Sequence, residues 1–294
     1  MKNNIFLKGS WVALATPFKE NGDIDLKALD RLLELHIQSK TDGIVICGTT
    51  GEAPSLNHDE RKLIMQRARE ATKGTVPLML GTGSNSTQLT CDLTAEAKSL
   101  GADAVLVVTP YYNKPTQTGL KLHYDAVAKA TSLPVVLYNV PGRTGCNIKP
   151  ETVLELSSIP NIVALKEASG DVCQFSELKR ILPPEFALFS GEDALNYPLL
   201  ALGGKGTISV TANVEPVLMK QFNDLMLAGN FIAARDIHMR LYPLHKALFI
   251  ETNPIPTKAA LSLKNYCQAN MRLPLSFPAP ETFKSIEKAL QQIN

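Results

Sequence analysis

Closely spaced cysteines and histidines are absent from this sequence. No two cysteines form a C-x-x-C pair, and no two histidines have H-x-H or H-x-x-x-H spacing. Structural zinc sites and disulfide frameworks need such spacing or an oxidising compartment. We therefore expect no metal site and free, mostly buried thiols at Cys47, Cys91, Cys146, Cys173 and Cys267.

A large charge imbalance is also missing. The chain has 30 Lys+Arg against 28 Asp+Glu, a formal net charge of +2, which gives no electrostatic reason to expect nucleic acid or an anionic membrane as a partner. No apolar stretch reaches the roughly 18 residues of a membrane span. The start, "MKNNIFLKGSWVALATPF", meets polar residues and Pro17 too early for a secretory signal. We expect a cytoplasmic protein.

Eight apolar, β-branched runs recur along the chain and start 20 to 34 residues apart. They are continuously hydrophobic, as parallel strands covered on both faces are. Eight such strand–helix units in roughly 210 residues favour an α/β fold of the (β/α)8 TIM-barrel type. The turn after the first run, "ATPFKENGD", has no G-x-G-x-x-G, so a dinucleotide-binding open sheet is disfavoured. The runs are "WVALATPF" from 11, "GIVICGTTG" from 43, "PLMLGTG" from 77, "AVLVVTPYY" from 104, "PVVLYNVPG" from 134, "IVALKEASG" from 162, "FALFSGED" from 186 and "GTISVTAN" from 206.

Helical patterns fill the segments between these runs, for example 25–40, 57–74 and 86–102. Asn57 and Glu60 have the spacing of a capping box, and the third helix is expected to end at Gly101. After residue 213 the pattern is helical and carries no further strand. We therefore predict a catalytic barrel over residues 1–225 and an appended C-terminal helical segment over residues 226–294.

Chemistry is expected where the strands end, because TIM-barrel active sites lie at the carboxyl ends of the strands. The ends of the eight runs carry hydroxyls, tyrosines and a single lysine, and they lack the close carboxylate pair of a glycosidase. These residues are Thr16, Thr49, Thr50, Thr82, Tyr111, Tyr112, Tyr138, Lys166, Ser190 and Ser209.

Lys166 is the unusual member of this group, because it ends the apolar run "IVAL". Desolvation disfavours a charged amine and lowers its pKa, and an uncharged amine attacks ketones to form a Schiff base. Tyr138, Thr49 and Tyr112 could then relay protons. Thr50 and the amides of "GTTGE" suit a carboxylate, and Arg143 could clamp a second carboxylate.

Simpler interpretations exist for each residue. Lys166 could reach solvent or pair with Glu167, Tyr138 could be a core aromatic, and the threonines could merely close a strand. Arg143 alone is typical of a surface. The catalytic interpretation of these residues gains support because each of them ends or follows a strand of one predicted barrel.

Eight stretches of the chain, in order, resemble the dihydrodipicolinate synthase family of lysine-dependent class I aldolases, which is grouped with the N-acetylneuraminate lyases. They are "GTTGE" (48–52), "LNHDER" (56–61), "GTGSNST" (81–87), "VTPYYNKP" (108–115), "YNVPGRTG" (138–145), "ALKEASGD" (164–171), "FSGEDAL" (189–195) and "GGKGTISVTAN" (203–213).

The resemblance implies condensation of pyruvate with L-aspartate 4-semialdehyde to 4-hydroxy-tetrahydrodipicolinate, on the route to diaminopimelate and lysine, without a cofactor. It implies a Schiff base on Lys166 and a proton relay through Tyr138, Thr49 and Tyr112. In this family Tyr112 comes from the neighbouring subunit, and a dimer of dimers is the usual assembly. Thr50 and the main chain at Ile208 and near Gly191 would hold pyruvate, and Arg143 would hold the semialdehyde carboxylate.

Feedback by L-lysine is expected to be weak or absent. The resemblance implies that family members inhibited by lysine bind it through two histidines, an asparagine and an acid. This chain keeps His58 and Asn85 but has Arg61 and Leu89 in place of the second histidine and the acid, with Pro54 nearby. A cationic ligand would lose an acid and gain a like charge.

Three alternatives stay open. The nearest is another pyruvate-dependent aldolase that cleaves a sialic or 2-keto-3-deoxy sugar acid, which Arg143 disfavours because the sugar substrate is neutral there. Another is a catalytically silent barrel that binds metabolites. The third uses "LGGKGT" (202–207) as a phosphate-binding turn.

Overall fold

A computed structural model of the protein describes residues 7–293. Eight parallel strands close into a barrel, in which each strand pairs with the next and the last pairs with the first. Every predicted apolar run supplies one strand, so the (β/α)8 barrel is confirmed. The strands are β1 (Gly9–Ala13), β2 (Gly43–Ile46), β3 (Leu78–Gly81), β4 (Ala104–Val108), β5 (Val135–Asn139), β6 (Ile162–Glu167), β7 (Ala187–Ser190) and β8 (Gly206–Ser209).

Residues 7–293 contain twelve α-helices, of which α1 to α8 lie between successive strands. They are α1 (Leu26–Gln38), α2 (His58–Thr72), α3 (Thr87–Ala97), α4 (Gln117–Lys129), α5 (Pro141–Thr144), α6 (Pro150–Ser157), α7 (Val172–Ile181), α8 (Asn196–Ala201), α9 (Pro216–Leu227), α10 (Phe231–Ala247), α11 (Ile255–Leu263) and α12 (Pro280–Gln291). None of these helices combines the length and apolar character needed to cross a membrane.

The helix starts follow the capping residues in the sequence. Asn57 and Glu60 form the predicted capping box at the start of α2, each side chain bonding the other's backbone N–H at 2.9 Å. Ser86 caps α3. The predicted end of α3 at Gly101 is wrong, because the helix ends at Ala97. Irregular turns follow, and Gly101 adopts a left-handed φ of +89° in them.

The core has two layers. Apolar side chains fill the space between the strands and the surrounding helices, and a second cluster fills the barrel itself. In the interior, the fully buried rings of Trp11 and Phe189 meet edge to face, with centroids 6.5 Å apart. Gly43 makes room for Trp11, because a Cβ at that position would fall 2.4 Å from the indole. The interior is thus a packed core, as in other TIM barrels.

The C-terminal helices follow the barrel's last helix. The boundary predicted at 225 and 226 falls in the last turn of α9, and α10 packs on that helix. A fully buried ion pair joins the segment to the barrel, because Lys258 of α11 donates to the carboxylate of Glu52, which follows β2. Burial lowers the pKa of Lys258, and the charge of Glu52 opposes this shift.

Candidate active site

Lys166 and Tyr138 lie side by side at the carboxyl ends of their strands. The two residues are register partners on β6 and β5. The amine nitrogen of Lys166 lies 4.3 Å from the centroid of the Tyr138 ring. Lys166 is 5% exposed and Tyr138 is 6% exposed, and Tyr138 belongs to the cluster that fills the barrel. The predicted nucleophile and the predicted acid/base are therefore neighbours at the mouth of the barrel.

The amine of Lys166 lies apart from the carboxylates. Among residues 7–293, no carboxylate oxygen lies within 4 Å of this amine. Glu167 points to the opposite face of β6, as successive strand residues do. Its carboxylate accepts hydrogen bonds from Asn139, Ser169 and Gln174 at 2.7–3.2 Å. Burial raises the pKa of Glu167, and these hydrogen bonds oppose the shift. The alternative in which Lys166 pairs with Glu167 is therefore wrong.

Gly191 lies directly against the aliphatic chain of Lys166. A Cβ at Gly191 would fall 2.7 Å from Cε and 2.9 Å from Cγ of Lys166, well inside van der Waals contact. The N–H of Gly191 donates to the main-chain oxygen of Glu167 at 2.8 Å, so this amide already has an acceptor. Because Gly191 has no side chain, it leaves room for the side chain of Lys166.

Burial raises the pKa of the nearby Glu192 carboxyl, and the adjacent Asp193 raises it further, whereas the charge of Lys166 lowers it. This carboxyl is therefore close enough to respond to the state of the lysine. From the sequence, Glu192 is expected at the end of the seventh apolar run but has no predicted role.

The turn "GTTGE" after β2 brings two threonines to the site. The main-chain oxygen of Gly51 accepts a hydrogen bond from the Thr16 hydroxyl at 2.8 Å, which anchors the turn to the end of β1. Thr49 lines the cavity described below. Thr50 is buried, and its hydroxyl oxygen accepts a hydrogen bond from the side-chain amide of Asn253 at 2.9 Å.

Arg143 lies on α5, the short helix that directly follows β5. Its guanidinium lines the cavity and donates to the main-chain oxygen of Asn253 at 3.1 Å. Asn253 thus contacts both predicted carboxylate-binding residues. Asn253 carries no functional motif that the sequence would reveal, because it lies in the loop between α10 and α11, directly before Pro254.

A cavity of about 450 Å³ opens beside these residues. Thr49, Tyr138 and Arg143 line it, as do His58 and Arg61, whereas Lys166 and Thr50 are not among its lining residues. No aspartate or glutamate of the described chain is among its lining residues. The cavity therefore favours anionic or neutral ligands over cations.

Two predicted residues stand apart from this group. Tyr112 is 89% exposed and does not line the cavity within its own chain, whereas Tyr111 does. The backbone of Tyr112 has a φ of +74°, a left-handed conformation that bulky residues rarely adopt. Ile208 is fully buried on β8 and belongs to the cluster that fills the barrel. Within residues 7–293, no group of three His, Cys, Asp or Glu side chains is arranged to hold a metal ion.

A closed eight-stranded parallel barrel with its polar side chains gathered at the carboxyl ends of the strands is the architecture of a TIM-barrel enzyme. The model of the "Dihydrodipicolinate synthetase family" matches residues 6–293. The chain belongs to this family, and it is an enzyme of the lyase class.

Individual relatives agree with this assignment. The 4-hydroxy-tetrahydrodipicolinate synthase of Geotalea uraniireducens is 49% identical over 92% of each chain. The crystal structure of dihydrodipicolinate synthase from Aquifex aeolicus has a TM-score of 0.95 at 44% identity, covering 97% of this chain and 98% of that one. The enzyme from Acinetobacter baumannii, described as chloride-inhibited and complexed with pyruvate, has a TM-score of 0.96 at 42% identity, covering 98% and 99%.

Proposed function

We propose that this chain condenses pyruvate with L-aspartate 4-semialdehyde to give 4-hydroxy-tetrahydrodipicolinate and water, through a Schiff base on Lys166. The observation that carries the proposal is the position of the Lys166 amine, which is buried at the barrel mouth, lies over the Tyr138 ring and has no carboxylate oxygen of residues 7–293 within 4 Å. Family membership supports the substrate pair, since relatives carry that enzyme's name and one is complexed with pyruvate.

The chemistry follows from an amine beside a proton donor. The uncharged amine attacks the keto carbon of pyruvate, and loss of water from the carbinolamine leaves an iminium. The iminium draws electrons from the methyl group, which loses a proton and becomes a nucleophilic enamine. Addition of the enamine to the aldehyde forms the new C–C bond. The amino group of the second substrate then displaces the lysine by attack on the iminium carbon, which closes the ring.

Tyr138 is assigned the proton transfers in this sequence, because it is the hydroxyl-bearing side chain that contacts the lysine. Thr49 lines the same cavity and continues the relay. Neither group needs a metal or an organic cofactor for these steps, so we propose that the enzyme acts without one.

Carboxylate binding is assigned to two places. Thr50 and the main chain near Gly191 and Ile208 hold the carboxylate of pyruvate, close to the lysine. Arg143, further out on the cavity wall, holds the carboxylate of the semialdehyde, since a guanidinium binds carboxylates in bidentate fashion. A neutral sugar would leave this arginine without a partner, so the sugar-acid lyase alternative is less suited to the cavity.

Tyr112 is proposed to act in the site of a second copy of the chain, as the third member of the relay. Its exposure and its strained φ support this assignment, because a backbone strain of roughly 1–3 kcal/mol is retained where function or assembly requires it. We further propose a dimer of dimers located in the cytoplasm and serving diaminopimelate and lysine synthesis.

Weak or absent inhibition by L-lysine is proposed as well. His58, Arg61 and Leu89 line the cavity, whose described lining residues include a guanidinium but no carboxylate, and the nearby Glu96 is already paired with His58 and Lys62. Titration of activity with L-lysine tests this, and strong inhibition by micromolar lysine would contradict it.

Borohydride reduction in the presence of pyruvate tests the central step. A stable adduct is expected on the peptide that contains Lys166, with a mass increase equal to reductively attached pyruvate. The Lys166→Ala variant should give no adduct, and Lys129→Ala serves as the control because Lys129 lies on α4 and pairs at the exposed surface with Asp125. Labelling on a different lysine, or none in the wild type, would remove the proposed mechanism.

A further inference from the structure

We propose that Asn253 is a positioning residue that fixes Thr50 as a hydrogen-bond donor to the pyruvate carboxylate and, through its main chain, holds Arg143 in place. The inference rests on the proposed function. It extends the site beyond the barrel, since Asn253 lies between α10 and α11, in the C-terminal helical segment.

The contact with Thr50 determines which way that hydroxyl can point. The side-chain N–H of Asn253 donates to the Thr50 oxygen at 2.9 Å, and both residues are buried. An amide nitrogen cannot accept a hydrogen bond, so the hydroxyl proton of Thr50 must be directed elsewhere. An ionised carboxylate only accepts hydrogen bonds. Thr50 is therefore left with its proton available for such a ligand.

The orientation of the Asn253 amide is set by Thr257 of α11. The hydroxyl of Thr257, which is fully buried, donates to the side-chain oxygen of Asn253 at 2.9 Å. Among residues 7–293, no other acceptor lies within hydrogen-bonding distance of this hydroxyl. The opposite amide orientation would leave a buried proton without an acceptor, which costs free energy. Thr257, Asn253 and Thr50 thus form a directed chain of donors.

The contact with Arg143 involves the main chain instead. The carbonyl oxygen of Asn253 accepts one N–H of the guanidinium at 3.1 Å. A guanidinium has five N–H donors in a fixed plane, so one edge is held and others remain for a ligand. One residue therefore contacts the groups assigned to the two substrates, by its side chain and by its backbone respectively.

This division predicts separable kinetic effects. The Asn253→Ala variant loses the amide but keeps the carbonyl. The KM for pyruvate is expected to rise about tenfold, the factor that corresponds to one modest hydrogen bond, while the KM for the semialdehyde changes less than twofold. Asn253→Asp should raise the KM for pyruvate further, because its carboxylate would accept the Thr50 proton and repel the ligand. Thr257→Val should act in the same direction, and Thr257→Ser should resemble the wild type.

A double-mutant comparison separates positioning from a general structural role. If Asn253 acts through Thr50, Asn253→Ala should raise the KM for pyruvate in the wild type but not in a Thr50→Val background. An equal increase in the KM for pyruvate in both backgrounds would overturn the inference. A fall in kcat with parallel increases in both KM values would overturn it as well. Melting temperatures of all variants identify any that fail to fold, and Thr257→Val with Thr257→Ser then carries the test.

Borohydride trapping keeps this inference distinct from the proposed function. Absence of an adduct on Lys166 in the wild type would contradict the proposed function itself. A normal adduct in the wild type, with Asn253→Ala requiring no more pyruvate for half-maximal trapping, would contradict the role of Asn253 alone.

Discussion

The α-carbon of Gly191 lies so close to the side chain of Lys166 that any β-carbon there would fall 2.7 Å from Cε of the lysine. The two residues come from neighbouring strands, with Lys166 on β6 and Gly191 just after β7. The side chain of Lys166 can therefore adopt its observed conformation only because residue 191 has no side chain.

Replacing Gly191 tests this relationship. Gly191→Ala should force the lysine chain aside and lower kcat/KM by roughly 100-fold, since small displacements of reacting groups carry penalties of that order. Steady-state kinetics and the yield of borohydride adduct measure the effect. Gly142→Ala is the matched control, because a Cβ at Gly142 meets nothing within 4 Å. Normal activity in Gly191→Ala would show that the lysine has room to move.

Removal of the Tyr138 hydroxyl separates binding from proton transfer. Tyr138→Phe keeps the ring that lies against the Lys166 amine, so the pyruvate adduct should still form under borohydride. Turnover should fall by roughly 100-fold or more, the usual contribution of a positioned acid or base. The comparison of adduct yield with kcat is the measurement. Near-normal kcat would exclude Tyr138 as the acid/base.

The exposed position of Tyr112 predicts complementation between two inactive variants. Co-expressed Lys166→Ala and Tyr112→Phe chains should recover about one quarter of wild-type activity, because half of randomly paired dimers would hold one complete site of two. Activity of the unfractionated mixture per total chain checks this value, and the purified mixed dimer should show about half of the wild-type activity.

The control for that experiment pairs Lys166→Ala with Tyr138→Phe. These residues share one site in one chain, so mixing should restore nothing. If the Tyr112 mixture also stays inactive, Tyr112 does not act across subunits.

The buried ion pair of Lys258 and Glu52 should dominate the attachment of the C-terminal helices. Lys258→Met leaves a buried carboxylate without its cation and should lower the free energy of unfolding by about 3–5 kcal/mol. The double variant Glu52→Leu/Lys258→Met should lose less than the single one, because no unpaired charge remains. Urea unfolding measures both. Lys129→Met, at the exposed pair with Asp125, is the control and should change stability by less than about 1 kcal/mol.

The barrel and the positions of Lys166 and Tyr138 could be predicted because both depend on local pattern. A continuous apolar run specifies a buried parallel strand, and the residue at its end lies at the barrel mouth. The resulting register placed these two side chains next to each other without any knowledge of loop structure.

Asn253 could not be predicted in the same way. It reaches Thr50, 203 positions earlier in the chain, through the packing of helices whose sequence pattern specifies only an apolar face. The left-handed backbone of Tyr112 was equally beyond local pattern, because a φ of +74° in a tyrosine reflects the surroundings of the loop rather than its own preference.

The rings of Trp11 and Phe189 close the barrel below the site, and this bears on the order in which two ligands can bind. We therefore expect ligands to reach the site from the end of the barrel where the strands have their carboxyl ends. The lysine is nearly enclosed, whereas Arg143 stands at the outer wall. On the proposed function, a semialdehyde held at Arg143 would obstruct access to the deeper amine, so we expect pyruvate to bind before the semialdehyde.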